Sequence, residues 1–295
     1  MQISSDQNLT RRQPMNYANN LFETAALKIA PSDKPFWYTS GLIGPYFINT
    51  HFLCGGERTA IEILASIDEK SSDKKTFPDF ILAYLEKVYK EYPIYKAVID
   101  GLVEKIKPII EQEQIKFVSG GERRDWFFAP IVAKLLKLPC LYIYNDCKVF
   151  NEQGEEIKDL QNANVVNIAD LLTVGSSYTT KWIPALKKIN GNLVASANAV
   201  DRCQGGSEIL SAHGIKSVVS LISIGEDLFK DALVQGYIDQ NQMNIVLAYL
   251  ADEHNSMKEF LVANRNFLEE ALSSSDEKTK KRAMLMRDTD PYGMS

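Results

Sequence analysis

Histidine and cysteine are scarce in this chain, with three of one and four of the other among 295 residues. His51, His213 and His254 lie far apart and form no HxH or HExxH pattern, so their spacing points to no metal site. Cys54, Cys140, Cys147 and Cys203 include no CxxC pair, which removes both tetrahedral zinc spacing and a disulfide framework. The reading is reduced cysteines in a cytoplasmic protein. Long apolar runs are missing as well. No stretch approaches the roughly 20 residues needed to span a bilayer, and the opening MQISSDQNLTRRQP lacks the apolar core of a signal peptide. Positive charge is not in excess either. A formal net charge of −5 argues against a nucleic-acid surface spread over the chain, while leaving room for a local basic loop. No internal repeat is present; Gly-Gly-Glu-Arg occurs twice, at 55–58 and 120–123, in different contexts.

What is there is ordinary globular material, 45% hydrophobic and 24% charged, long enough for one large domain or a core with helical additions. Four regions follow from the pattern. Residues 1–56 hold a polar lead, a short helix and an aromatic, Gly- and Pro-containing segment, FWYTSGLIGPYFIN, at 36–49. Residues 57–113 read as inserted helices. Phe77, Phe80, Ile81, Tyr84, Leu85 and Val88 form one apolar stripe, and Tyr95, Val98, Ile99, Leu102, Val103 and Ile106 another. Residues 114–225 alternate strands and helices, with strands expected at 115–119, 138–144, 165–168, 193–200 and 217–222. A helix over 177–189 is expected to bend at Pro184. Residues 226–295 read as a helical extension whose charged run SSSDEKTKKR, at 273–282, is expected to be mobile.

Strand–helix alternation implies parallel pairing through right-handed crossovers. The fold class is therefore α/β, an open, mainly parallel sheet with helices on both faces, plus helical additions. Such sheets bind ligands in loops at the carboxyl ends of their strands. Three of those loops carry suitable residues. After Ile168 comes Ala169-Asp170-Leu171-Leu172-Thr173-Val174-Gly175-Ser176-Ser177, then a helix. Its small and hydroxyl residues can offer N–H groups and hydroxyls to a phosphate at the helix N-terminus, or Ser176 or Ser177 can simply cap that helix. After Val118 comes Ser119-Gly120-Gly121-Glu122-Arg123-Arg124-Asp125. Here paired glycines admit a ligand and paired arginines grip a pyrophosphate, or the arginines pair with Glu122 and Asp125 in a solvent-facing turn. After Val200, Asp201-Arg202-Cys203-Gln204-Gly205-Gly206 suits a planar carboxylate, or an Asp–Arg pair holds the loop.

Taken in order, Ser40–Asn49 (SGLIGPYFIN), VNIADLLTVGSS and AVDRCQGG resemble the type I phosphoribosyltransferases, and among them the orotate phosphoribosyltransferases. In that family the three segments read approximately SGRxSPYFFN, VDDVxTxGxS and DRQEGG. The resemblance covers roughly 36–49 and 115–224. It implies transfer of phosphoribosyl from phosphoribosyl pyrophosphate, held with Mg²⁺, to a ring nitrogen of orotate or a related base, by a homodimer engaging neither nucleic acid nor membrane. It also implies that Thr173, Val174, Gly175, Ser176 and Ser177 hold the 5′-phosphate and Asp170 the ribose hydroxyls. Gly121, Arg123 and Arg124 fall at the pyrophosphate, Arg202 at the base carboxylate, and Phe47 in the hood over the base. Ala169 stands where the family has a second acidic residue, Thr39 where a lysine is common, and Leu42 where an arginine follows. The family's mobile loop is rich in lysine and histidine. Asn145–Glu156 has three glutamates and only Lys148 as a candidate catalytic cation. The same loops also fit a non-catalytic protein that binds a nucleotide or phosphosugar for regulation. A purely structural module would leave all three unexplained.

Overall fold

The apolar stripes of the first half become helices because their three- and four-residue spacing puts them on one side of a 3.6-residue turn. The computed structural model describes residues 17–294, so the polar lead at 1–16 and the last residue lie outside what is described here. A short helix α1 (Tyr17–Glu23) leads into β1 (Leu27–Ile29), β2 (Phe36–Trp37), β3 (Ile43–Gly44) and β4 (Tyr46–Ile48). These form two small antiparallel pairs, β1 with β4 and β2 with β3. Then come α2 (Gly56–Lys70), α3 (Phe77–Glu91) and α4 (Pro93–Gln112). Proline in the first turn of α3 and of α4 starts each helix where a missing N–H leaves no bond unmade.

The second half builds the sheet. It runs β5 (Ile115–Gly121), α5 (Ala129–Leu136), β6 (Cys140–Ile143), β7 (Val149–Phe150), β8 (Asn164–Leu172), α6 (Ile183–Lys188), β9 (Asn192–Asp201), α7 (Gly206–Ala212) and β10 (Ser217–Ser223). The strand order is β10-β9-β8-β5-β6-β7, parallel except for the β7 hairpin on β6. Helices cover both faces. One large core takes in α2 to α5, and a second, around Leu141, Val165, Trp182 and Leu186, lies under α6. The expected α/β sheet is therefore present, and α4 lies directly on β9 and β10.

Two local expectations change. The strand expected at 165–168 runs on to Leu172, because Ala169, Leu171 and Leu172 stay in register with Asn198, Val200 and Asp201 of the longer β9. Asp170 therefore sits inside a strand rather than in a loop. The helix expected over 177–189 is present over 176–188, but it is wound wide at Tyr178–Trp182 before α6, whose first turn accommodates Pro184.

The chain ends in α8 (Glu226–Val234), α9 (Gln240–Ala251), α10 (Glu253–Ala263), α11 (Asn266–Leu272) and α12 (Glu277–Thr289). The charged run 273–282, expected to be mobile, instead enters α12. Asp276 caps the helix by accepting the Thr279 N–H (2.9 Å), Met286 is buried, and Arg282 donates to the Trp37 carbonyl (2.9 Å). Its charges are solvated on one side, and a narrow apolar side docks. No helix of the described residues is long and apolar enough to cross a membrane.

If α12 is docked in this way, Met286→Asp should release it. Trypsin cleavage at Lys280–Arg282 is then expected to accelerate by about tenfold or more, the effect of roughly 1.4 kcal/mol in local opening. Equal cleavage rates in the parent and variant would contradict the docked helix.

Candidate active site

Between β5 and β8 the chain reverses its winding. From β5 it steps one way to β6, and β8 lies on β5's other side. At such a switch point the loops leaving two neighbouring strands diverge and a crevice opens at their carboxyl ends. A cavity of about 380 Å³ lies there, lined by residues 122–125 after β5, Asn145 after β6, and 169–173, 175–178 and Trp182 from β8 onward.

Its floor carries two buried carboxylates. Asp125 opens the short helical turn after β5. Its Oδ2 accepts the Gly121 N–H (2.9 Å), and its Oδ1 accepts the N–H of Asp170 across the crevice (3.1 Å). Asp170 Oδ2 accepts the Thr50 hydroxyl at 2.5 Å. Burial, followed by the charge on Asp170, pushes the Asp125 carboxyl up to about 8. Burial also raises Asp170, opposed by Thr50 and by the charge on Arg124. Two like charges this close in a desolvated floor favour retaining one proton between them.

The phosphate-type loop is held from below. Tyr178, in the wide turn, places its hydroxyl among Asn167 (3.2 Å), Ser196 (2.6 Å) and Asn198 (3.1 Å), three buried polar residues of β8 and β9. Gly175 has φ +70°, a backbone conformation that side chains disfavour. Ser177 makes no side-chain cap to the helix that follows, so the capping alternative is not what the structure contains. Among the described residues, the N–H groups of Val174, Gly175, Ser176 and Ser177 donate to no other protein group. Four unclaimed donors at the opening of a helical run have the arrangement that suits an anion.

The arginines are not paired as a solvent-facing turn would have them. Glu122 accepts the Asn145 N–H (2.8 Å), Arg123 reaches Asp68 of α2, and Arg124 makes no ion pair among the described residues. Buried His51, beside this cation pair, is lowered to about 4, first by burial and then by Arg124 and Arg123, so it is neutral at physiological pH.

The structure thus brings Asp170, Thr173, Gly175, Ser176, Ser177, Arg123 and Arg124 around one cavity. Val174 points outward, about half exposed. Gly121 does not line the cavity itself; a Cβ there would lie 2.1 Å from the ring of Trp182, which does. Lys148 sits on the exposed turn before β7, 3.5 Å from Asp146. Arg202 and Phe47 belong to a neighbouring aromatic cluster. Asp201 accepts the Cys203 N–H (2.8 Å), and the Arg202 guanidinium instead covers the Tyr46 ring at 5.4 Å. Three residues of the site were not singled out from sequence. Asp125 and Tyr178 act through partners distant along the chain. Lys181, whose Nζ donates to Asn145 (2.5 Å), brings a cation to the rim, and its four-residue step from Ser177 was the available signal.

No family model matches the chain. Among curated proteins, an orotate phosphoribosyltransferase of Sulfurisphaera tokodaii is 25% identical over 182 residues, covering 61% of this chain and 83% of that one. Among solved structures, Leishmania donovani UMP synthase superposes with a TM-score of 0.55 at 16% identity over 80% of this chain. The match spans 41% of that longer protein. An orotate phosphoribosyltransferase of Francisella tularensis superposes with a TM-score of 0.51 at 14% identity, covering 79% of this chain and 96% of that one. The fold is that of a type I phosphoribosyltransferase. The cavity is lined by Asp170, Thr173, Gly175, Ser176 and Ser177, residues that the sequence resemblance assigns to the phosphate and ribose. Asp125, from the turn after β5, stands beside Asp170 although position 169 is alanine.

The carboxylate pair has a pH signature. Asp125 is raised in the folded state from an ordinary value near 4 to about 8, so the native protein binds the proton more tightly than the unfolded chain. Its contribution is fully present below the ordinary value and is lost as pH rises toward 8, at no more than about 1.4 kcal/mol per pH unit for one proton. Asp125→Asn is expected to flatten the fall in urea-unfolding stability between those limits. An unchanged slope would show that the pair does not titrate in this range.

Proposed function

We propose that the chain transfers phosphoribosyl from phosphoribosyl pyrophosphate to orotate or a related carboxylated base, releasing pyrophosphate. The observation that carries this is the switch-point cavity, in which an anion loop, a buried carboxylate pair and two arginines converge. The size suits a small-molecule site, which typically measures roughly 300–1,000 Å³. The related proteins named above carry the same activity in their names.

In this reading the unclaimed N–H groups of Val174–Ser177 and the Thr173 hydroxyl hold the 5′-phosphate. Asp170 accepts from the ribose hydroxyls, and Asp125 fixes it through its backbone N–H. The bond from ribose C1′ to the pyrophosphate oxygen breaks as the bond to the base nitrogen forms, and the nitrogen's proton leaves to solvent. Positive charge develops on the ribose ring and negative charge on the departing pyrophosphate. Fixed cations near the leaving group therefore lower the barrier more than any proton transfer would. Arg124 is placed for this, with Arg123 once it leaves Asp68, and Lys181 is better placed than Lys148. Arg202 faces the base carboxylate, with Phe47 in the aromatic segment beside it.

Mg²⁺ fits the donors present. It is commonly held by one or two carboxylates together with substrate phosphates, and Asp170 would supply one, while Asp125, whose two oxygens already accept backbone N–H groups, would keep it in place. Among the described residues, no group of three or more His, Cys, Asp or Glu is set to hold a metal unaided, so the ion would enter with the pyrophosphate. When bound it would neutralise charge on the leaving group. A cytoplasmic homodimer belongs to the same reading.

One observation favours a second reading, a regulatory protein that binds a nucleotide or phosphosugar without turnover. The only lysine of the segment after β6, Lys148, faces Asp146, and the segment carries Glu152, Glu155 and Glu156.

Pyrophosphate release from phosphoribosyl pyrophosphate, Mg²⁺ and orotate separates the two. Under the transferase reading, release depends on the base, and Asp170→Asn lowers kcat/KM by about 100-fold or more, the scale of losing one transition-state electrostatic contact. Gly175→Asp removes ligand binding under both readings, since it adds a charge and presses on Leu210, where a Cβ would lie 2.7 Å from Cδ1. Base-dependent release unaffected by Asp170→Asn would contradict the site.

A further inference from the structure

The C-terminal helices are tied to the aromatic segment 36–49 at several points. Ile43 N–H donates to the Tyr292 hydroxyl (3.1 Å), and Arg282 donates to the Trp37 carbonyl. Phe267 stacks on Trp37 with centroids 5.3 Å apart and planes within 8°. Gly41 leaves its Cβ space to Leu285, which would stand 3.1 Å away. Gln242 at the start of α9 donates to the Ala30 carbonyl (3.0 Å). These contacts do more than stabilise a tail. They set α9 so that Tyr249 meets the Tyr46 ring edge-on at 5.5 Å and lies against the Tyr38 hydroxyl, which itself donates to the Tyr46 carbonyl (2.6 Å).

Tyr46 is the ring that the Arg202 guanidinium covers. Among the described residues, Arg202 Nε is buried and meets no acceptor at hydrogen-bond geometry, and the buried Tyr46 hydroxyl, which interacts with the guanidinium, is unpartnered too. A desolvated guanidinium N–H without an acceptor requires an explanation, and a bound acceptor oxygen is the simplest one. The next polar residue of that loop, Gln204, donates to Glu253, the first residue of α10. The extension therefore holds both the aromatic floor under Arg202 and the loop that carries it. Tyr38 reaches this position because Gly44 lacks a side chain; a Cβ there would stand 2.2 Å from its hydroxyl.

We propose that the C-terminal extension forms one wall of the acceptor pocket, with Tyr249 as the residue that fixes Tyr38, Tyr46 and the Arg202 guanidinium for a flat ring bearing a carboxylate. This rests on the transferase reading and adds to it a selectivity element from outside the strand–helix core. Tyr249 is a positioning residue. A flat acid fits because the guanidinium over the Tyr46 ring keeps an unpaired N–H for a carboxylate, which it can grip by charge-assisted bonds. An uncharged base of the same size leaves those donors unpaired and is rejected.

The test is steady-state pyrophosphate release by the full chain, its Tyr249→Ala variant and its Tyr249→Phe variant, with orotate and with uracil. Tyr249→Ala is expected to raise the KM for orotate about tenfold or more, with the KM for phosphoribosyl pyrophosphate within about twofold, and to narrow the preference for orotate over uracil. Tyr249→Phe keeps the edge contact with Tyr46 and loses only the hydroxyl, so an orotate-selective rise of about threefold is expected. That variant decides the matter if the alanine variant does not fold. Both KM values rising together, or neither changing, would overturn the proposal. If the parent protein binds phosphoribosyl pyrophosphate but turns over no base, the transferase reading fails separately. Calorimetric titration of orotate into protein saturated with Mg²⁺-pyrophosphate then tests the wall directly. Weakening by about tenfold or more in Tyr249→Ala supports it, and absence of orotate binding to the parent overturns it.

Discussion

Asp170 sits at the buried end of a central strand, and much of the site is arranged around keeping a carboxylate there. Burying such a group costs several kcal/mol unless hydrogen bonds and nearby charge offset it. Thr50 donates to it from the segment after β4, Arg124 supplies positive potential, and Asp125 takes its backbone N–H. Each supporter comes from a different stretch of chain. The carboxylate can therefore be held only when the small N-terminal strands, the loop after β5 and the end of β8 are all in place. Folding and assembly of the site are in that sense one event.

The same requirement explains the polar seam beneath the cavity. Ser119, Asn167, Ser196 and Asn198 are fully buried on adjacent strands, where apolar residues would pack as well. They are satisfied by one another and by Tyr178, which roots the anion loop in the sheet. A phosphate loop hung on side-chain hydrogen bonds keeps its N–H groups aimed before any ligand arrives, and such preorganisation is what makes electrostatic stabilisation effective. The C-terminal helices do for Arg202 what this seam does for the anion loop. They approach from outside the sheet and reach the arginine through tyrosine rings.

The sheet and the position of the crevice were legible in the sequence because strand alternation and loop chemistry are local signals. Thr173–Ser177 could be read from the nine residues 169–177. What was not legible depends on partners distant in sequence. Asp125 entered only as a surface partner for arginines in one of two alternatives, since nothing near it announces that Asp170, 45 residues on, would lie across the crevice. Ala169 looked like a lost carboxylate for the same reason. Arg123 could not be matched to Asp68 on α2 without the fold. The run 273–282 was read by its charge, and the short apolar spacing of Ala283 and Met286 that docks α12 is too sparse to outweigh it. Lys148 stood out as the sole cation in an acidic segment. The structure puts Lys181, from a different element, nearer the cavity rim.

The central claim is that the switch-point crevice is built for a phosphorylated ribose carrying a pyrophosphate. Calorimetric titration of the full chain with phosphoribosyl pyrophosphate and Mg²⁺ tests it most directly. The account expects saturable one-to-one binding that weakens steeply when Mg²⁺ is withheld and is competed by a nucleoside 5′-monophosphate, which shares the ribose and 5′-phosphate. No heat of binding at millimolar ligand, with or without the metal, would contradict it.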